Sequence, residues 1–225
     1  MRKILLLSLT VLATVLAFIS CEREKTIAHD DVNVEVMFTS NIVSVNPATK
    51  MGGNTWAIND LIGIYMFEDA STTVVEGIEN ITYKATTASN PGSFVPQTTT
   101  IYFPDNGSDV RFMSYYPYTA AIVSNIYEVD VSNQSNLSNI DLLYSFKTDA
   151  KYNKKTVDKK VPLVFEHKLS NIIVNVKAGE GLLNSDLEDI EISFAGLNTK
   201  ADFNLLSGLL LNPTDRKSTR LNSSH

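Results

Sequence analysis

The chain has 225 residues, with 19 Lys+Arg against 25 Asp+Glu and a formal net charge of −6. That acidity argues against nucleic acid or an anionic membrane face as partner, since both are bound through clustered basic side chains. A single cysteine and three histidines supply neither an internal disulfide nor a cysteine-based metal site.

The chain opens on Arg2 and Lys3, then an apolar run from Ile4 to Phe18. The run is too short to cross a bilayer, which takes ~20 apolar residues. A basic start, an apolar core and a small residue at its end form the pattern of a secretory signal over residues 1–20. Ser20 directly precedes Cys21, so the segment resembles a bacterial lipoprotein signal, cut between Ser20 and Cys21 with lipid placed on the Cys21 thiol. Phe18 and Ile19 fit the usual lipobox loosely, and an ordinary secretory signal with an incidental cysteine is the alternative. Lipid on Cys21 holds a protein to the outer membrane at ~0.8 kcal/mol per buried methylene. Residues 21–33 are polar and charged and read as a tether.

Seven strands are predicted between about Val34 and Thr148. VNVEVMFTSNIV alternates Val34, Val36 and Phe38 on one face, the two-residue period of a strand. The turn-rich NPATKMGGN follows. LIGIYMF (61–67) is apolar on both faces, as in a buried central strand. ITYKATT and GSFVPQTTTIYFP come next, and then PDNGSD, where Asn106-Gly107 suits a turn with positive φ. VRFMSYY places Val110, Phe112, Ser114 and Tyr116 on one side and Arg111, Met113 and Tyr115 on the other. IYEVDVS and DLLYSFKT complete a sandwich-like set over 34–158.

The lysine-rich DAKYNKKTVDKK reads as a solvated linker, and VPLVFEHKLSNIIVNVKA opens a second series over 159–214. In it the apolar set changes parity between Leu169 and Ile172, which predicts a bulge near Ser170-Asn171. IEISFAG and ADFNLLSG are read as two further strands. The last residues, 215–225, show no apolar period and are read as a non-native tail with no function on Arg216, Lys217, Arg220 or His225.

No enzyme is indicated, and no cofactor. His29 lies in the tether and His167 in a strand, neither at metal-ligand spacing from a second donor. No nucleophile elbow, P-loop or Gly-rich dinucleotide turn is present. Trp56 and the cluster Tyr115, Tyr116 and Tyr118 could stack on a sugar, but they suit the core and corners of a sandwich better.

The ordered set of a lipoprotein-type signal, VEVMFTS, the Trp56 to Met66 stretch WAINDLIGIYM, VRFMSYYPY, DLLYS and VPLVFEHKLSNIIVNV resembles the Bacteroidales fimbrillin (Mfa-like) family, from Met1 to about Pro213. The resemblance implies an all-β fold of tandem transthyretin-like β-sandwich domains, the second incomplete in this chain. It also implies export as a lipoprotein and assembly into surface fimbriae by donor-strand exchange. A protease cuts beyond the first strand, that strand leaves, and a strand from another fimbrial subunit fills the groove. On this sequence the exchanged strand carries Val34, Val36 and Phe38, and the candidate cut is Lys50–Met51, where the family's usual Arg is replaced by Lys. Lys50 as an ordinary loop lysine is the alternative. So, at the level of function, is a surface lipoprotein that binds a glycan, host or bacterial surface ligand without polymerising.

Overall fold

The two-faced run LIGIYMF lays out the molecule, because both of its apolar faces have to be covered. A computed structural model of the chain describes residues 33–43, 54–75, 77–172, 174–187 and 192–221. Ser20, Cys21, His29, Lys50, Met51 and His225 lie outside the described residues.

The described strands are β1 (Met37–Val43), β2 (Leu61–Glu68), β3 (Ile81–Ala85), β4 (Gly92–Pro96), β5 (Val110–Tyr116), β6 (Ile126–Asp130), β7 (Leu143–Phe146), β8 (Lys160–His167), β9 (Ile192–Asn204) and β10 (Leu209–Leu221). Seven of them form one sheet in the order β1-β4-β3-β2-β5-β7-β8, which closes on itself. The closing ladder, β1 with β8, is parallel. β6, β9 and β10 form a separate three-stranded sheet. The all-β class is as expected.

The inner face of the closed sheet holds Val36, Phe38, Ile62, Ile64, Met66, Phe112 and Phe165 among its buried side chains. The outer face of β2, β5 and β7 presents Tyr65, Phe67, Met113, Tyr115 and Tyr144, and these pack with Val129 of β6 and Phe203 and Leu205 from β9 and the turn after it. The small sheet is therefore the cover that makes both faces of β2 and β5 interior. Tyr144 joins the two layers, donating its hydroxyl to the Leu205 carbonyl and meeting Phe203 edge-on at 5.1 Å between ring centroids. The turn at 104–107 forms as its sequence predicts, with Gly107 at φ 73° and its N–H on the Pro104 carbonyl.

Four expectations change. The boundary at 158/159 does not separate two sheets: β8, expected to begin a second domain, is hydrogen-bonded between β1 and β7. Its alternation Val161, Leu163, Phe165 supplies apolar side chains the first core lacks, and burial there outweighs nearness in sequence. Nor does a bulge carry that strand on past 170. β8 ends at His167, and Ile172, Val174 and Val176 are exposed, since a two-residue period makes a strand only where a neighbour offers a ladder. The described residues of IEISFAG, from Ile192 on, and ADFNLLSG fall within and just beyond a single strand, β9, which passes through Gly196 at φ 79°. Finally, the tail from 215 has strand pairing as far as Leu221, with Arg216 opposite Asn198 and Leu221 opposite Ile192; a backbone ladder needs no apolar side chain.

Candidate functional site: the slot held by β1

β1 lies between two strands, and its two edges are served differently. On one edge β8 runs parallel to it without interruption, from Met37 opposite Lys160 to Val43 opposite Glu166. The other edge is met in three pieces. Upstream, the Val36 N–H donates to the Ile101 carbonyl and the Phe103 N–H to the Val34 carbonyl, each at 2.9 Å. In the middle, Phe38, Thr39 and Ser40 pair with Phe94, Ser93 and Gly92 of β4. Beyond the end of β4, the Asn90 side-chain amide stands in for a strand: it accepts from the Ile42 N–H and donates to the Ile42 carbonyl, both at 3.0 Å.

The inward side chains are Val36, Phe38, Ser40 and Ile42, all buried, with Val34 packed at the margin of the same core. Phe38 meets Tyr83 and Phe112 edge-on at 5.1 and 5.2 Å, the arrangement favoured by ring quadrupoles. Burial pushes the Tyr83 phenol up to about 12, although the Ile101 N–H donated to its oxygen works the other way. Burying Val36, Phe38 and Ile42 contributes roughly 5–9 kcal/mol, at ~1.5–3 kcal/mol per large apolar side chain. The sequence places Val34, Val36 and Phe38 on one face, and the structure gathers them in this slot. It misses Asn90, because a polar residue before a proline in a Ser/Asn-rich turn gives no sign of a distant backbone partner.

Trp56 lies just past the undescribed residues 44–53 and belongs to the wall of the slot. It is 2 % exposed and packs edge-on against Phe94, Tyr116 and Phe165 at 5.1–5.5 Å. Tyr115 is fully buried, with its hydroxyl within hydrogen-bond reach of two acceptors, Asn80 Oδ1 at 2.7 Å and the Thr119 carbonyl at 2.9 Å. These aromatics are interior and offer no stacking face. His167 Nδ1 lies 2.8 Å from the buried Asp141 carboxylate, which ties the end of β8 to the residues leading into β7. Arg111, also buried, donates to the Thr148 and Ser71 carbonyls. No group of three or more His, Cys, Asp or Glu that could hold a metal occurs among the described residues, and no helix among them is long and apolar enough to cross a membrane.

A family model described as fimbrillin-like matches residues 49–225. The chain belongs to the fimbrillin-like family. A protein of Bacteroides uniformis, provisionally named fimbrium subunit Fim1C, is 34% identical over 211 residues, which is 92% of this chain and 67% of that protein. A crystal structure from the same species, provisionally described as a cell adhesion protein, is 29% identical with a TM-score of 0.67, covering 87% of this chain and 72% of that one. A second such structure, from Bacteroides ovatus, superposes with a TM-score of 0.64 at 20% identity, over 86% of this chain and 74% of that one; it speaks for the fold alone. The fimbrillin-like match begins at residue 49, beyond β1.

Proposed function

We propose that this fimbrillin-like protein is a structural subunit of cell-surface fimbriae and that it polymerises by exchange of β1 for a strand of another subunit. One observation carries the reading. β1 fills a complete position of the closed sheet, with Val36, Phe38, Ser40 and Ile42 inward, yet joins the rest of the sheet through the segment that contains Lys50–Met51. Cleavage of that bond would leave Trp56 and the other walls of the slot on one piece and the strand on the other. An emptied slot exposes unpaired backbone on β4 and β8 together with apolar core, so a new strand entering it regains both ladders and burial.

On this reading the export signal is cut between Ser20 and Cys21, and lipid on Cys21 holds the precursor at the outer membrane. The closed sheet, with β6 and β9 as its cover, is read as the first of two transthyretin-like domains in tandem. The named roles of the relatives, fimbrium subunit and cell adhesion, support surface assembly. A monomeric glycan-binding role draws no support from Trp56 or Tyr115, which are buried.

The test is limited digestion of the full chain by a trypsin-like protease. Mass spectrometry follows loss of the segment ending at Lys50, and unheated gels follow SDS-resistant assemblies, with and without the Bacteroides uniformis relative as strand donor. A chain that is cut after Lys50 and stays monomeric under both conditions would refute the proposal.

A further inference from the structure

Ser40 is the misfit of β1. Its side chain is 1 % exposed and points into an apolar wall, and its hydroxyl has no hydrogen-bond partner. A buried hydroxyl left unpaired loses its water without return. The rung it occupies is also narrow. Its neighbour on β4 is Gly92 and its neighbour on β8 is Leu163. A Cβ built on Gly92 would fall 2.4 Å from Cδ1 of Trp56 and 3.1 Å from its Cγ and Nε1, so the indole lies against this rung. Trp56 has little freedom to withdraw, being wedged edge-on among Phe94, Tyr116 and Phe165.

Two residues along, the strand is read in a second way. The Asn90 amide bonds both backbone groups of Ile42 and so marks one rung by its peptide, whatever its side chain. The two rungs are a fixed two residues apart. A strand shifted by one residue would turn its apolar face outward, and one shifted by two would bring a large side chain against Trp56.

We propose that the β1 slot accepts a strand in one register only: apolar at the rungs of Val36 and Ile42, aromatic at Phe38, and small and apolar at Ser40. β1 is then a weaker occupant than the same strand with alanine at the Ser40 rung. The identity of the occupant, a strand of another subunit, rests on the exchange reading above; the register does not.

Two measurements separate these claims. In the intact chain, Ser40→Ala should slow hydrogen exchange of the β1 amides about tenfold, as expected when an unpaired buried hydroxyl is removed, and Asn90→Ala should speed exchange at Ile42. Unchanged or faster β1 exchange in Ser40→Ala overturns the register. Separately, the full chain nicked after Lys50 is offered eleven-residue peptides with the sequence of residues 33–43 carrying Ser, Ala or Leu at the position of Ser40, and retention is read by native mass spectrometry. The Ala peptide should be held about tenfold more tightly than the Ser peptide, and the Leu peptide should not be held. Equal retention of all three overturns the register and leaves strand exchange standing. Slower β1 exchange in Ser40→Ala, with no peptide retained, supports the register and sinks strand exchange.

Discussion

Phe38→Ala tests whether β1 is a core strand or merely lies beside the sheet. Phe38 is 2 % exposed and lies between the rings of Tyr83 and Phe112; its pairing partners Phe94 and Val161 are buried as well. Truncation removes a ring and leaves a cavity that this closed sheet has few ways to collapse. The expected cost is about 3–5 kcal/mol, a large part of the ~5–15 kcal/mol that holds a domain of ordinary stability. The control is its neighbour Met37, which faces outward and is 43 % exposed; Met37→Ala should cost under about 1 kcal/mol. Urea unfolding followed by the fluorescence of the chain's one tryptophan reads both. With a slope of about 2 kcal/mol per molar urea, the Phe38 midpoint should fall by roughly 2 M while that of Met37 barely moves. Similar shifts for the two variants would show that β1 does not occupy the slot, and the account of the slot as the site of assembly would fall with it.

Two further outcomes are expected. Gly92→Ala forces a methyl against the Trp56 indole; it should cost about 1–3 kcal/mol as an overpacked core does and change the tryptophan emission, and an unchanged spectrum with unchanged stability would mean that the rung is open. On the alkaline side, burial raises the Tyr83 and Tyr127 phenols from 10.0 to about 12. The folded chain thus holds protons that the unfolded chain releases, so their contribution is complete below pH 10 and is lost as the pH rises toward 12. Stability measured by denaturant should fall over that window, and phenolate absorbance should appear late in the folded protein; ordinary titration of every tyrosine near 10 would contradict the burial described.

What could be read from the sequence is what repeats locally. The two-residue alternation of Val34, Val36 and Phe38 and the two-faced runs at 61–67 and 110–116 mark strands and their buried faces without any knowledge of neighbours. The Asn106-Gly107 turn is equally local. Pairing is different, because a ladder joins residues far apart in the chain, and no residue of β8 announces that Phe165 will lie beside Ile42. Only the tertiary structure decided that β8 closes the first sheet, that Ile172, Val174 and Val176 have strand rhythm but no strand, and that Asn90 completes an edge where β4 ends. The physical reason is that side-chain period is written residue by residue, whereas backbone hydrogen bonds and cavity shape depend on which distant segments meet. The slot around β1 is assembled from several such segments, which is why its face could be named from sequence and its register could not.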